Sequence, residues 1–299
     1  MPWWLARSRV RLRVCPRLGA SIAVIVLLHL VQVGERVVHP AFAQSSHLYE
    51  EVFYKSGNLK IQAYLYKPEG NGPFPVVIYN HGSRIGRERQ SDPHRYIGEL
   101  LTQAGFAVLV PERRGYGRSD GTTWSQEVGQ DASYRFVQRL ESETDDVLAA
   151  IEYLRTVPSL DPKRLGIMGW SLGGIITMFA ISRSNEFRVA INQAGGALTW
   201  DRLPALRLAL IDAAQKTTTP VLLLVAKNDR TTDSVTTLAE RLQARNVPHK
   251  LVIYDSFTPS DFGGASGAPG HRIFGRQGTA IWRNDVVDYL GGYLFGTDK

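Results

Sequence analysis

From residue 48 onward, short apolar runs alternate with longer stretches in which apolar residues recur every three or four positions. Residues 49–54 and 59–66 flank Ser56-Gly57-Asn58 and read as an opening hairpin. Residues 76–79 and 106–110 are short apolar runs that suit buried strands, the second stopped by Pro111. Between them residues 96–104 have helical spacing, closed by Gly105. Residues 144–155 read as the next helix, with acids at the start and Pro158 beyond the end. A strand at 165–169 is separated from a helix at 172–181 only by Trp170 and Ser171. Residues 189–192, 221–226 and 250–254 supply further strands, 238–245 a helix, and 279–295 a closing helix. Strands separated by helices predict an α/β fold, with a mostly parallel central sheet flanked by helices. The stretch between Asn192 and Val221 is too short for a large inserted lid, so residues 44–299 read as a single domain.

Composition bounds the picture without redrawing it. Hydrophobic residues make up 43% and charged residues 21%, ordinary for a packed globular chain. The net charge of +7 suggests a polyanion partner until the charges are located. Arg7, Arg9, Arg11, Arg13, Arg17, Arg36 and Glu35 all precede Gln44, and without them 29 basic residues face 27 acidic ones. Nucleic acid is therefore not an expected partner.

The first segment itself has the order of an export signal. A basic start precedes the apolar run 19–33, and Ala41-Phe42-Ala43 offers a small-x-small cleavage site. The run contains Ser21, His29 and Gln32 and is shorter than the roughly 20 apolar residues of a membrane span. The expectation is a signal peptide at 1–43 and a periplasmic or secreted mature chain, the alternative being an uncleaved N-terminal anchor. No stable membrane insertion is expected after cleavage. The lone Cys15 lies before the apolar run, so a cleaved chain has no cysteine, hence no disulfide and no thiolate chemistry.

The chemistry concentrates in Gly169-Trp170-Ser171-Leu172-Gly173-Gly174, a G-x-S-x-G between a predicted strand and a predicted helix. A serine hydroxyl is a weak nucleophile and must be presented beyond the sheet edge, where a base reaches it. A sharp strand-to-helix turn does this, and flanking glycines allow the close backbone approach it demands. The bland alternative is a glycine-rich turn with an incidental serine. Of seven histidines, only His271 lies late, in the run 263–275 read as flexible, from which an imidazole reaches over the sheet edge. Asp229 follows the strand 221–226 and lies between Ser171 and His271 in order; Asp233, Asp255 and Asp261 are its rivals. Two backbone donors are expected for an oxyanion: Leu172 N–H beside the serine, and Ser83 N–H in the turn after residues 76–79. His81 reads as a structural residue of that turn. Arg113 and Arg114 read as solvated loop charges, the alternative being a pocket border that favours an anionic group. Gly115-x-Gly117 lacks the third glycine and the following helix of a dinucleotide fingerprint. No clustered metal-ligand set appears, and no cofactor is expected.

Asn80-His81-Gly82-Ser83, the loop 113–121, the elbow at Ser171, Asn228-Asp229-Arg230 and Gly270-His271 stand in one order. Together they resemble the α/β-hydrolase superfamily, in its dienelactone-hydrolase-like and prolyl-oligopeptidase-like branch, over nearly the whole mature chain. Two departures limit what the resemblance implies. Dienelactone hydrolases proper use a cysteine where this chain has Ser171, and the oligopeptidases carry a large N-terminal propeller. The expected activity is hydrolysis of a carboxylic ester through an acyl-enzyme. The alternatives are a small serine peptidase or amidase and, in another class, a catalytically silent hydrolase fold used for binding. The expected partner is a small-molecule ester or peptide substrate; fold alone cannot choose between them.

Overall fold

A computed structural model describes residues 48–129, 134–263 and 267–296. The signal-segment expectation falls outside these residues. Among them, eight strands form one sheet in the order β1-β2-β4-β3-β5-β6-β7-β8. These are β1 (Glu50–Ser56), β2 (Leu59–Tyr66), β3 (Phe74–Asn80), β4 (Ala107–Glu112), β5 (Leu160–Trp170), β6 (Val189–Gln193), β7 (Val221–Ala226) and β8 (His249–Tyr254). The two junctions that involve β2 are antiparallel, and every later one is parallel. The helices are α1 (Arg95–Gln103), α2 (Trp124–Glu127), α3 (Tyr134–Arg155), α4 (Leu172–Arg183), α5 (Pro204–Lys216), α6 (Asp233–Ala244) and α7 (Thr279–Leu294).

The central strands are apolar because both faces are covered: all six residues of β7 are buried. Helix α4 is apolar around its whole circumference and buried from Leu172 to Ile181, where it packs on the sheet and on α3 and α5. No helix of the described residues is long and apolar enough to cross a membrane.

Three local expectations change. Pro111 does not stop its strand; it pairs with Ala63 inside β4. The ladder from β4 to β3 ends at Leu109, so at Pro111 the strand is paired on one side only, which tolerates a missing N–H. Helix α3 begins ten residues before the expected start, because Arg139 and Glu143 occupy buried positions there and erase the apolar period. Between β6 and β7 the chain forms α5, burying Leu206, Leu210, Ala213 and Ala214; no inserted domain is present.

The strand order places the site. β3 lies between β4 and β5, so the chain reverses its direction across the sheet there, and open parallel sheets bind ligands at such a point. Asn80, the last residue of β3, stands opposite Gly169 near the end of β5. The turn after β3 and the serine after β5 are thereby brought side by side.

Candidate active site

Ser171 sits at φ 58°, ψ −117°, a backbone conformation that costs a side-chain-bearing residue about 1–3 kcal/mol. Its neighbours explain how the strain is held. A Cβ on Gly173 would lie 1.9 Å from the Asn80 carbonyl oxygen, and one on Gly169 would lie 2.2 Å from the Gly173 carbonyl oxygen. Neither position accepts a side chain. Ser171 N–H donates to the Gln193 carbonyl at the end of β6 at 2.8 Å, tying the bend to the neighbouring strand.

The structure brings Ser171, His271 and Asp229 together. Ser171 Oγ lies 2.8 Å from His271 Nε2, and His271 Nδ1 lies 2.8 Å from Asp229 Oδ2. A carboxylate only accepts, so Nδ1 carries the proton and Nε2 is left to accept from the serine hydroxyl. Asp229 and His271 are both buried. The second Asp229 oxygen accepts from Arg230 N–H at 2.6 Å. The rivals stand elsewhere: Asp233 opens α6, Asp255 pairs with Lys227, and Asp261 accepts from Gln277.

The segment that carries His271 is not the loose loop the sequence suggested. Residues Pro269–Phe274 form a 3₁₀ helix. It docks against the turn after β7, where Gly270 N–H donates to the Asn228 carbonyl at 3.2 Å. A Cβ on Gly270 would lie 2.4 Å from Asn228 Oδ1. Asn228 also donates to and accepts from the backbone of Phe257 at 2.9 Å, joining the loops after β7 and β8. Trp170 Nε1 donates to the His271 carbonyl at 3.0 Å. Asn228 and Trp170 stand in the motifs around Asp229 and Ser171, but nothing in the sequence assigned them a role.

A cavity of about 570 Å³ opens beside His271, with Gly82, Ser83, Trp170 and Leu198 in its lining. Leu172 is the first residue of α4, and the first N–H groups of a helix have no partner within it. A Cβ on Gly82 would lie 3.5 Å from Ser171 Cβ, which puts the turn that contains Ser83 directly beside the serine.

Behind that turn the expectation for the arginines fails. Arg113 is fully buried, donating to Glu143 Oε2 at 2.8 Å and to the His81 carbonyl at 3.1 Å. Arg114 binds both carboxylate oxygens of Asp146. Neither is a solvated charge or a lining residue of the cavity, because buried carboxylates on α3 neutralise both. Among the described residues no group of three or more His, Cys, Asp or Glu is placed to hold a metal ion.

A family model for the dienelactone hydrolases matches residues 61–260. The chain belongs to the dienelactone hydrolase family. This family member is 29% identical over 143 residues to the quorum-quenching protein AidA of Acinetobacter baumannii (strain MDR-ZJ06), covering 48% of this chain and 42% of that protein. It is also 29% identical over 145 residues to the thiohydrolase aneE of Aspergillus aculeatus, covering 48% and 41%. The matched segment thus spans less than half the length of these curated relatives. Among solved structures, the acylaminoacyl peptidase of Pyrococcus horikoshii superposes with a TM-score of 0.66 at 19% identity, over 84% of this chain and 42% of that one. The Pyrococcus furiosus esterase Pf2001 superposes with a TM-score of 0.59 at 19% identity, over 82% and 91%. At these identities the likeness is one of fold: an α/β-hydrolase of the dienelactone hydrolase family, with serine at its elbow.

Proposed function

We propose that the protein is an exported serine esterase that cleaves carboxylic esters through an acyl-enzyme. The observation that carries this reading is the continuous line Ser171 Oγ, His271 and Asp229, with both contacts at 2.8 Å at the mouth of a cavity. Ser171 Oγ attacks the ester carbonyl while His271 Nε2 takes its proton; Asp229 holds the imidazole tautomer and stabilises the imidazolium. The carbonyl oxygen, now an oxyanion, is held by the N–H groups of Leu172 and Ser83. The C–O bond to the alcohol breaks as His271 returns the proton to the leaving oxygen. Water, deprotonated by His271, then releases the acid. The fold is shared by an esterase and a peptidase, so the choice between ester and peptide rests on the assay that follows.

Purified protein assayed side by side on p-nitrophenyl esters and peptide anilides tests the substrate class. Turnover of esters, abolished in Ser171→Ala together with fluorophosphonate labelling, is the expected result. Faster cleavage of the anilides would favour the peptidase reading, and an active Ser171→Ala protein would end both. Export rests on the basic start, the apolar run 19–33 and Ala41-Phe42-Ala43. N-terminal sequencing of protein from the envelope or medium should return Gln44, and a start at Met1 in membranes would favour an anchor.

A further inference from the structure

One peptide unit decides whether Ser83 can serve an oxyanion: the one that joins Gly82 to Ser83. Its carbonyl and its N–H lie in one plane and, the bond being trans, point in opposite directions. Whatever holds the Gly82 oxygen therefore aims the Ser83 N–H. His81 holds it, with Nδ1 2.7 Å from the Gly82 oxygen. The imidazole is fully buried behind the turn, while Gly82 and Ser83 line the cavity in front of it.

The imidazole's own state is set by its neighbours. Arg84 Nη2 lies 3.3 Å from His81 Nε2. A guanidinium only donates, so Nε2 must accept and the single proton must sit on Nδ1, where the Gly82 carbonyl needs it. Burial, then the guanidinium groups of Arg113 and Arg84, and then His94 push His81 well below its ordinary pKa, against the hydrogen bond to Gly82. Glu112 Oε2 stands 3.8 Å from Nε2, but its carboxylate is taken up by Arg84 and by the Asp92 N–H at 2.7 Å. Glu112 is fully buried at the end of β4, so Arg84 is anchored to the sheet.

We propose that His81 is a positioning residue for the oxyanion site, its Nδ1–H tautomer fixed by Arg84 and Glu112 so that the Gly82–Ser83 peptide presents the Ser83 N–H to the reacting carbonyl. The proposal rests on the esterase reading above. It makes His81 act in the transition state and leaves ground-state binding alone, because the oxyanion forms only after attack.

Three variants test it. His81→Asn puts an amide N–H where Nδ1–H stood; His81→Asp has the same shape with an acceptor there; His81→Leu has neither. kcat on a p-nitrophenyl ester should fall about 10²–10³-fold in the Asp and Leu variants with KM within about threefold, as for a lost oxyanion donor. The Asn variant should keep at least roughly a tenth of wild-type kcat on the same grounds. Inhibition by phenylboronic acid, whose tetrahedral adduct carries the oxyanion, should weaken in parallel with kcat. Should Leu fail to fold, the Asn and Asp pair, compared by melting temperature and kcat, decides alone. Equal kcat in Asn and Asp, or a loss confined to KM, would overturn the proposal. A Ser171→Ala protein that still turns over the ester would instead remove the reading beneath it, so the two failures are separable.

Discussion

The two walls of this site are built by opposite means. On one side Ser171, His271 and Asp229 are held by backbone: a strained bend, glycines that admit no side chain, and a 3₁₀ helix docked on the turn after β7. On the other, the turn that carries Ser83 is held by charge. Arg113, Arg139 and Glu143 are fully buried together, Glu143 accepting from each arginine at 2.8 Å, and Glu112 grips Arg84 beside them. The first wall uses short polar side chains whose loss leaves little uncompensated. The second uses charges that are tolerable only as a set, since an orphaned buried charge costs far more than its pair contributes. Substitutions in the first wall should thus cost activity at nearly constant stability, and substitutions in the second should cost stability first.

The largest expected effect is in the first wall. Asp229→Asn should lower kcat by on the order of 10⁴, because the amide forces the wrong imidazole tautomer, and should leave the melting temperature nearly unchanged. Asp233→Asn, at the start of α6, should do neither. Reversal of the two would hand the acid role to Asp233.

The second wall is probed by Glu143→Gln, which strips the fully buried Arg113 of its carboxylate and leaves Arg139 only the partly exposed Glu127. The expected loss is about 3–5 kcal/mol, or roughly 6–20 °C in melting temperature for a domain of this size. A variant that melts like the wild type would erase the contrast between the walls.

A smaller effect is pH-dependent. Burial holds His94 at about 4, below its ordinary 6.5, with Asp92 opposing and Arg84 and Arg113 assisting. Between those values the unfolded chain binds a proton that the native protein refuses. Stability is therefore full above pH 6.5 and declines as pH falls toward 4, by about 3 kcal/mol from this residue. His81, shifted in the same direction, extends the decline. Melting temperatures of the wild type and of His94→Gln, measured across this window, should converge as pH falls. A gap that stays constant would show that His94 charges freely in the folded protein.

The amino-acid sequence by itself determined the elements whose signal is local. Residues 221–226 are a strand because every side chain is apolar and both faces are buried. The bend at Ser171 is written in Gly169, Gly173 and Gly174, since the close contacts there leave room for nothing larger. The order of Ser171, Asp229 and His271 was legible because each follows a recognisable strand. Tertiary structure alone decided the rest. Arg113 and Glu143 are 30 positions apart, and nothing near either announces the other. Read locally, such residues belong in water; only the docking of α3 against the turn after β4 brings opposite charges together and makes burial affordable. The same cancellation hid the first half of α3, where Arg139 and Glu143 interrupt the apolar spacing. Which way the His81 ring faces, and with it the Ser83 N–H, was settled by Arg84 and by Glu112 on the strand two places from β5. Apolar burial is a property each residue carries along the chain, whereas the neutralisation of a buried charge belongs to a pair and exists only once the chain has folded.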